Sequence, residues 1–467
     1  MTEPPTIGGG GVSSGHEVCV VGAGYVGLTA AACLAHLGHV VTCVEASPLR
    51  LQVLEDGGIP IHEPGLSELV GEGVANGRLR WAADVASGLG TARIVLLCVG
   101  TPPRADGEPD LSQLAEAGRQ VARAATDDLV VVVKSTVPPG SCEAIELICA
   151  EEVPPGVRIR VASSPEFLRE SRAVEDFLYP DRVVIGAEDP QVIDLVASLY
   201  PSASPVVRCD RRGAELVKYA ANTFLAIKIS FANEVAQLCD ALGTNAMNVL
   251  EGVGSDIRIG RQFLRPGPGY GGSCLPKDVS GFVALGESAG TRTALASAAE
   301  EQNAFARRSV ARRLELVIGS LQGKRIGLLG LAFKDGTDDV RDSPSIQIAE
   351  DLIASGATVR AYDPLAQSGS TPNGVERVHR ASEALEQADA VVIAVDSAEY
   401  RNLDPGEVAR LMSGDVVLDA AGVCALDSWG AAGLSVYGVG RGTPMAFYPV
   451  VWPPLRWTAR TTEISLD

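Results

Sequence analysis

The pattern of hydrophobic and polar positions changes twice along this chain. From about residue 17, short Val- and Ile-rich runs such as VVTCVE alternate with amphipathic Ala- and Leu-rich stretches, which is typical of βαβ units and of a parallel sheet covered by helices on both faces. Residues 214–242 contain no Gly or Pro and predict one long spine helix that ends at Gly243. The alternation resumes after about residue 320 with KRIGLLG. The pattern therefore predicts an α/β chain with two parallel-sheet domains and a helical region between them.

Length and pattern together suggest where the domains begin and end. The 467 residues suit roughly three domains of about 150 residues each. We expect a flexible tail over 1–16, an N-terminal parallel-sheet domain over 17–211, a central helical domain over 212–320, a C-terminal α/β domain over 321–450 and a second tail over 451–467.

Composition excludes several classes of function. The formal net charge of -19 would repel a phosphate backbone or an anionic lipid surface, and every apolar run is far shorter than the roughly 18 residues that a bilayer span needs. We therefore expect no nucleic-acid partner and no membrane partner. Because residues 1–16 lack the basic and apolar segments of a secretion signal, we expect a cytoplasmic location. The ten cysteines form no CxxC pair and the five histidines are scattered, so we expect neither a disulfide framework nor a bound metal.

The segment VVGAGYVG follows the first predicted strand and opens a helix, the context in which GxGxxG glycines bind a dinucleotide pyrophosphate. Gly22 permits the tight turn, Gly24 lets the backbone approach the phosphates, and Gly27 allows close packing of the helix. Glu45 ends the next strand, where a carboxylate can accept hydrogen bonds from the adenosine ribose. Arg50 could attract a 2′-phosphate, but the carboxylate at the strand tip favours NAD over NADP.

A Gly- and Pro-rich loop, PGPGYGGSCLPKD, carries a candidate nucleophile. A free thiol is only slightly ionised at neutral pH, and a nearby ammonium such as that of Lys277 would raise the thiolate fraction. The glycines would also let a substrate approach the sulfur of Cys274 closely. The alternative is that Cys274 is merely packed, like the other nine cysteines, but a polar loop beside Lys277 and Asp278 fits that interpretation poorly.

Two further segments offer groups that could act on a carbonyl. Lys218 and Asn222 are four residues apart on the predicted spine helix, so they share a face and could both donate to an oxyanion. Taken alone, they could equally be a solvated lysine and a surface asparagine. Glu166 and Glu170 follow one predicted strand and Thr136 ends another, at the edge where open α/β sheets bind ligands.

Seven ordered segments, spread over residues from about 17 to 445, resemble the nucleotide-sugar 6-dehydrogenase family. They are GAGYVGL (22–28), VGTPP with GEPDLS (99–112), STVPPG (135–140), SPEFLRES (164–171), KYAANTFLAIKISFANE (218–234), GYGGSCLPKD (269–278) and GLAFKDGTDDVRDSP (330–344). The resemblance implies two Rossmann-like parallel-sheet domains, the first binding NAD and the second binding the nucleotide of the substrate. It further implies that the central helical domain between them forms a homodimer.

The resemblance also implies a reaction: a four-electron oxidation of a sugar C6 alcohol to a carboxylate, through a cysteine thiohemiacetal and thioester, with NAD as the oxidant. The implied catalytic residues are Cys274 as nucleophile, Lys218 and Asn222 as oxyanion donors, and Asp278, Thr136 and Glu166 as groups that orient or activate water. The motifs are nearest to those of members that oxidise UDP-glucose to UDP-glucuronate. A dTDP-glucose, GDP-mannose or N-acetylhexosamine nucleotide substrate stays open.

The binding residues implied by the resemblance form two sets. The NAD set is Gly22, Gly24, Tyr25, Val26, Gly27, Glu45, Arg50, Thr101, Thr136, Glu170, Cys274, Lys277 and Arg341. The nucleotide-sugar set is Glu166, Phe167, Leu168, Arg169, Glu170, Lys218, Asn222, Arg258, Arg265, Tyr270, Gly271, Phe333, Lys334 and Arg441. Arg258 matches an arginine that the family sends across the dimer interface, and Glu45 stands where the family commonly has Asp.

Two other functions stay open at this point. A two-electron NAD dehydrogenase would share the Rossmann domain and the helical spine, but it would need no nucleophilic cysteine and would form one NADH per product instead of two. A binding or regulatory protein could retain the fold without turnover, although it would have no need of Cys274, Lys218, Asn222 and Asp278 in one chain.

Overall fold

The first part of the chain folds around one large sheet. The computed structural model describes residues 15–366 and 371–442. The strands of this first sheet are β1 (Glu17–Val21), β2 (Val40–Val44), β3 (Leu79–Ala82), β4 (Ile94–Leu97), β5 (Leu129–Val133), β6 (Ile159–Ser163), β7 (Val183–Gly186) and β8 (Val206–Cys209). Within the described residues their order is β3-β2-β1-β4-β5-β6-β7-β8. All neighbouring pairs are parallel except β6 and β7, which meet in an antiparallel contact.

Helices cover both faces of this sheet. They are α1 (Tyr25–His36), α2 (Pro48–Glu55), α3 (Leu66–Ala75), α4 (Val85–Leu89), α5 (Ser112–Ala124), α6 (Ser141–Glu152), α7 (Ala173–Leu178) and α8 (Pro190–Ala197). Every residue of β4 and β5 is buried, which explains why both strands are continuous apolar runs without alternation. The strand order reverses between β1 and β4, so the loops after these strands diverge and leave a crevice at their carboxyl ends.

A helical region follows, built on the predicted spine helix. Its helices are α9 (Arg211–Leu242), α10 (Ala246–Gly254), α11 (Leu275–Ser288) and α12 (Ala294–Ile318). Helix α9 begins where the Asp210 carboxylate accepts a hydrogen bond from the Gly213 N–H at 2.7 Å, which satisfies one of the free donors of the first turn. It ends at Gly243, whose φ of 68° is left-handed backbone that favours glycine. The observed helix has 32 residues and includes Gly213, so it starts slightly before the predicted stretch.

The second sheet is smaller and fully parallel among the described residues. Its strands are β9 (Arg325–Leu329), β10 (Thr358–Tyr362), β11 (Val375–Arg377), β12 (Ala390–Ile393), β13 (Val416–Asp419) and β14 (Ser435–Gly438), in the order β11-β10-β9-β12-β13-β14. Its helices are α13 (Pro344–Ala354), α14 (Ala381–Leu385), α15 (Ala398–Arg401), α16 (Pro405–Leu411) and α17 (Leu426–Ala431). The strand order again reverses next to the first strand, here between β9 and β12.

The predicted fold class, two Rossmann-like parallel sheets joined by helices with one long spine, is confirmed. The tail expected over 451–467 lies outside the described residues, as do residues 1–14 of the tail expected over 1–16 and residues 443–450 of the C-terminal domain. Across 15–366 and 371–442, no helix is both long enough and apolar enough to span a membrane.

Candidate active site

The turn between β1 and α1, residues 22–27, has the shape that a dinucleotide pyrophosphate requires. Gly22 has a φ of 100°, and a Cβ on Gly27 would stand 1.8 Å from the Gly22 carbonyl oxygen, so both positions exclude a side chain. A Cβ on Gly24 would meet no atom within 4 Å, which leaves open space above the backbone. No side chain caps the N-terminus of α1, so its first N–H groups are free to bind an anion. We call this segment the dinucleotide turn.

Glu45 lies at the carboxyl end of β2, beside the dinucleotide turn. Its carboxylate accepts a hydrogen bond from the Ser47 N–H at 2.8 Å and lies 3.3 Å from the Arg50 guanidinium. Arg50 also donates to the Ala23 carbonyl oxygen at 2.9 Å. The guanidinium that could have attracted a 2′-phosphate is therefore neutralised by Glu45 and tied to the turn.

The loops after β4 and β5 are joined at the β1–β4 crevice. The hydroxyl of Thr101 donates to the carbonyl oxygen of Thr136 at 2.9 Å, and both residues are buried. Thr136 does not line the cavity described next. Its position at the end of β5 suits the predicted contact with the cofactor better than a direct role on the substrate.

A cavity of about 520 Å³ lies where the first sheet, α9 and the second sheet meet. It brings together residues that are far apart in the sequence. Of the predicted site residues, it is lined by Glu166, Phe167, Leu168, Arg169, Glu170, Lys218, Asn222, Gly271, Cys274, Phe333 and Lys334. The predicted nucleophile and both predicted oxyanion donors thus face the same space.

Lys218 and Glu166 form a buried ion pair on the wall of this cavity. The Lys218 Nζ lies 2.8 Å from Glu166 Oε1, and Leu168 N–H donates to Glu166 Oε2 at 2.6 Å. Burial alone would lower the pKa of Lys218, but the negative charges around it, that of Glu166 first, raise the pKa above its ordinary value. Burial would raise the pKa of Glu166, yet Lys218 holds it below its ordinary value. Both side chains therefore stay charged near neutral pH.

Cys274 is the N-cap residue of α11, and its thiol is more weakly acidic than the sequence predicted. Burial raises the pKa of Cys274, Glu166 adds to that effect, and the ammonium groups of Lys218 and Lys277 offset it only in part. Lys277 lowers the pKa of Cys274 as expected, but it is itself paired with the carboxylate of Asp278 and its effect is smaller than that of burial, so the net shift is upward. The thiol is therefore protonated at neutral pH, and a role as nucleophile would require it to lose its proton.

Asn222 is held in place by a carboxylate on α11. Its Nδ2 donates to Asp278 Oδ2 at 2.5 Å, and Lys277 pairs with the other oxygen of Asp278. Asp278 is 0% exposed and does not line the cavity. Asp278 therefore acts on the site through Asn222, whose second amide hydrogen remains available to an oxygen in the cavity.

Glu170 links all three parts of the chain. Its carboxylate accepts hydrogen bonds from Ser273 Oγ at 3.2 Å and from Thr337 Oγ1 at 3.0 Å, and its carbonyl oxygen accepts one from Lys334 Nζ at 2.5 Å. Arg341 lies 3.9 Å from the same carboxylate. The residue before the nucleophile is thus tied both to the first sheet and to the loop after β9.

Two predicted arginines stand at the carboxyl edge of the second sheet. Arg265 pairs with Asp396, just after β12, and donates to the Gly422 carbonyl oxygen at 3.0 Å. Arg441, just after β14, pairs with the fully buried Asp419 at the end of β13. This is the edge at which open α/β sheets bind ligands, and two guanidinium groups there suit a diphosphate.

Two other predicted residues lie apart from the cavity. Tyr270 is buried within the Gly- and Pro-rich loop that carries Cys274, and its N–H donates to Asn303 Oδ1 at 2.7 Å. Arg258 has a side chain that is 84% exposed and pairs with Asp256, its neighbour in the same loop. The structure of one chain does not bring Arg258 to its own cavity.

Sequence reasoning missed two buried charged residues near the site. Lys134, directly after β5, lines the cavity and donates to Tyr200 Oη at 2.8 Å and to the Ser164 carbonyl oxygen at 3.3 Å. Glu63, 7% exposed, receives a hydrogen bond from the hydroxyl of Tyr25. A charged residue directly after a fully apolar strand, and an acid within the apolar segment IPIHEPGL, were the available signals. In the described ranges, no group of three or more His, Cys, Asp or Glu residues could hold a metal ion.

Comparison with known proteins agrees with this arrangement. Residues 16–204 match the UDP-glucose/GDP-mannose dehydrogenase family, NAD binding domain, residues 212–304 match its central domain, and residues 327–425 match its UDP binding domain. A UDP-glucose 6-dehydrogenase of Rhizobium meliloti (strain 1021) is 41% identical over 398 residues, which are 83% of this chain and 91% of that protein.

Two solved structures extend the comparison to the fold. A UDP-glucose dehydrogenase from Pyrobaculum islandicum is 40% identical with a TM-score of 0.84, over 89% of this chain and 96% of that one. A UDP-D-ManNAc dehydrogenase from Pyrococcus horikoshii is 29% identical with a TM-score of 0.82, over 91% and 100% of the two chains. With its dinucleotide turn, its buried lysine and its cavity cysteine in these three matched domains, the chain belongs to the UDP-glucose/GDP-mannose dehydrogenase family.

Proposed function

We propose that this protein oxidises the C6 alcohol of UDP-glucose to the carboxylate of UDP-glucuronate. Each turnover removes two hydrides from C6 and adds the oxygen of one water molecule, so it consumes two NAD and releases two NADH. The observation that carries the proposal is one cavity that holds Cys274, Lys218 and Asn222 together. A two-electron alcohol dehydrogenase has no use for a thiol at that place.

The dinucleotide turn fits NAD. The space above Gly24 and the uncapped N-terminus of α1 suit a pyrophosphate, and the Glu45 carboxylate suits the ribose hydroxyls while disfavouring a 2′-phosphate. NAD supplies the acceptor for the hydrides that leave C6. The other contributions to the reaction come from side chains of this chain.

Cys274 captures the aldehyde that the first oxidation leaves at C6. The sulfur bonds to C6 while the thiol proton moves to the former carbonyl oxygen, so the thiohemiacetal forms without net loss of a proton. Negative charge develops on that oxygen during the addition, and the Lys218 ammonium and the Asn222 amide are the available donors on the cavity wall. The second oxidation turns this adduct into a thioester, and the oxygen-bound proton is released.

Hydrolysis then returns the thiol. Water attacks the thioester carbonyl, the C–S bond breaks and the sulfur regains a proton, which leaves the sugar carboxylate. Glu166 lines the cavity and is ionised, so it can orient the water and accept its proton. Asp278 supports this step through its hydrogen bond with Asn222, and Thr136 belongs to the cofactor side of the site.

We favour UDP-glucose among the possible substrates because of the relatives of this chain. The R. meliloti and P. islandicum proteins, at 41% and 40% identity, are both described as acting on UDP-glucose. Arg265 and Arg441 at the edge of the second sheet would suit the diphosphate that all of these candidate substrates share, although each is also paired with a carboxylate, Asp396 and Asp419 respectively. The UDP-D-ManNAc dehydrogenase at 29% identity makes an N-acetylhexosamine nucleotide the second candidate.

The same proposal includes a homodimer with a composite site. Phe224, Phe231 and Leu238 are spaced seven residues apart on α9, so they lie along one side of the helix, and their exposures are 62%, 48% and 58%. We call these three residues the apolar stripe. A second copy of α9 would bury this stripe. Arg258 would then be free to reach the partner's cavity, since it does not reach its own.

We also infer a three-part division at 17–211, 212–320 and 321–450. It is supported by the end of β8 at Cys209, the start of α9 at Arg211 and the start of β9 at Arg325. The inferred location is the cytoplasm, since the reaction draws on NAD and a nucleotide sugar.

The test is to incubate the purified protein with NAD and, in parallel, UDP-glucose, UDP-N-acetylmannosamine, dTDP-glucose and GDP-mannose. We expect two NADH for each UDP-glucuronate formed and at least a tenfold preference for UDP-glucose, about 1.4 kcal/mol in transition-state free energy. One NADH per product would favour a two-electron dehydrogenase. No NADH with any of the four would favour a binding protein.

A further inference from the structure

We propose that Tyr25 and Glu63 form a positioning pair that holds the dinucleotide turn against the loop between β6 and α7, residues 164–171, which carries Glu166 and Glu170. This inference rests on the proposed function of the site. It assigns a role to the Tyr25 hydroxyl and to the buried carboxylate of Glu63, neither of which takes part in the chemistry described above.

Tyr25 connects the two segments directly. It is the first residue of α1, so its backbone belongs to the dinucleotide turn, while its side chain extends to the 164–171 loop. The hydroxyl donates to Glu63 Oε2 and accepts a hydrogen bond from the Ser171 N–H at 2.8 Å. Burial and the bond to Glu63 raise the pKa of Tyr25, so the hydroxyl stays protonated and keeps its donor.

Glu63 fixes the other end of this arrangement. Its side chain is buried, and its Oε1 accepts a hydrogen bond from the Val174 N–H at 3.3 Å, at the start of α7. The neighbouring Ile59 and Ile61 pack against the core of the first sheet, which anchors the segment that carries Glu63. Burying a carboxylate without hydrogen-bond donors costs free energy. Its two hydrogen bonds, from Tyr25 and from Val174, therefore stabilise the buried position of Glu63.

The 164–171 loop also contacts residues next to the thiol of Cys274. Ser171 has a φ of 67°, left-handed backbone that its surroundings must hold in place. Its neighbour Glu170 bonds Ser273, the residue before Cys274, and Glu166 at the other end of the loop pairs with Lys218. The Tyr25 hydroxyl is thus the link between the turn that binds the hydride acceptor and the groups that act on C6.

The test compares Tyr25→Phe, Glu63→Gln and the double variant with the parent protein. Tyr179→Phe is the control, because Tyr179 is an exposed tyrosine at the end of α7. NADH affinity is measured by fluorescence, UDP affinity by calorimetry, and steady-state kcat and KM with UDP-glucose. Folding is checked by thermal unfolding of each variant.

We expect Tyr25→Phe to weaken NADH binding about tenfold, the effect of removing one or two partly buried hydrogen bonds. UDP affinity and the KM for the sugar nucleotide should change less than twofold, while kcat falls. Glu63→Gln retains one acceptor and should have a smaller effect, and the double variant should lose no more than Tyr25→Phe alone, because both changes break the same link.

Equal losses of NADH and UDP affinity, or additive losses in the double variant, would mean that the pair only stabilises the fold. Unchanged NADH affinity and kcat in folded Tyr25→Phe would also overturn the proposal. If the parent protein turned over no nucleotide sugar while NADH affinity still fell as expected, the proposed reaction would fail and the positioning pair would stand.

Discussion

At the scale of single residues, the site works with a thiol that is protonated at rest. Burial raises the pKa of Cys274, and the nearby carboxylate of Glu166 raises it further. A protonated thiol resists oxidation and alkylation, since the thiolate is the reactive form. In the proposed reaction, the thiol proton would be available to the C6 oxygen when Cys274 captures the aldehyde, so that addition would need no separate acid.

Replacement of Cys274 tests the covalent mechanism. Cys274→Ser should bind NADH and UDP normally but lose steady-state turnover by several orders of magnitude, because an alkoxide forms far less readily than a thiolate and an oxygen ester hydrolyses more slowly than a thioester. Mass spectrometry of the protein after incubation with UDP-glucose and NAD should detect a trapped ester. Cys424→Ala, at a buried cysteine of the second sheet, is the control. Parent-like turnover of Cys274→Ala with two NADH per sugar would contradict the mechanism.

Glu166→Gln tests the electrostatics of the thiol. The Glu166 carboxylate raises the pKa of Cys274, so its removal should lower that pKa and shift the pH dependence of Cys274 alkylation by iodoacetamide toward lower pH. Alkylation near neutral pH should accelerate several fold while turnover falls. Glu116→Gln, on the exposed face of α5, should leave the alkylation profile in place. A shift toward higher pH in Glu166→Gln would mean that the loss of order around Lys218 outweighs the charge.

At the scale of elements, α9 contacts the cavity with its first half and the loop after β14 with its end. Its first half presents Lys218 and Asn222 to the cavity. Near its end, the buried Asp240 lies 2.7 Å from Arg313 of α12 and accepts a hydrogen bond from the Gly440 N–H at 3.1 Å. The helix that carries the two proposed oxyanion donors therefore also holds the loop that follows β14 and carries Arg441.

Asp240→Ala tests this anchor. It removes the Asp240 carboxylate from the buried Arg313 guanidinium and releases the loop at Gly440, so the free energy of unfolding should fall, by about 1–3 kcal/mol. Urea unfolding followed by fluorescence measures this loss. In the fraction that stays folded, the KM for UDP-glucose should rise more than that for NAD. Glu315→Ala, an exposed acid on α12, is the matched control and should change stability by less than about 0.5 kcal/mol.

At the scale of the whole molecule, catalysis depends on the meeting of three regions. Glu170 of the first region bonds Ser273 of the second and Thr337 of the third, all next to the cavity. In the proposed dimer, the apolar stripe on α9 and the exposed Arg258 would extend this dependence to a second copy of the chain.

Leu238→Glu tests the dimer. A carboxylate at the C-terminal end of the apolar stripe should turn the proposed dimer into a monomer in sedimentation velocity, because burying an unpaired charge is costly. Turnover should fall with the dimer fraction, because the proposed site then lacks the partner's Arg258. Arg258→Ala tests the same contact and should raise the KM for UDP-glucose far more than the KM for NAD. Leu147→Glu, at an exposed leucine of α6, should leave both properties unchanged. A fully active monomer would refute the composite site.

Local sequence determined much of this protein. The continuous Val and Ile runs predicted the strands because both faces of a parallel sheet are buried, and the Gly-free stretch predicted α9 because nothing in it breaks a helix. The turn at Gly22 and the thiol of Cys274 were also identifiable from neighbouring residues. Gly22 stands between a predicted strand and a predicted helix, and Cys274 stands in a polar, Gly-rich loop.

Only the tertiary structure decided the charge state and the partners of the site. The sequence suggested that a nearby ammonium would lower the pKa of the thiol. Lys218 and Lys277 do so in the folded chain, but burial and the carboxylate of Glu166 raise that pKa by more. Glu63 and Lys134 acquire their roles from contacts with residues 38 and 66 positions away. The pKa of a side chain depends on its burial and on the charges around it. Both are set by residues that are distant in the sequence and close in the fold, so the local sequence pattern does not predict them.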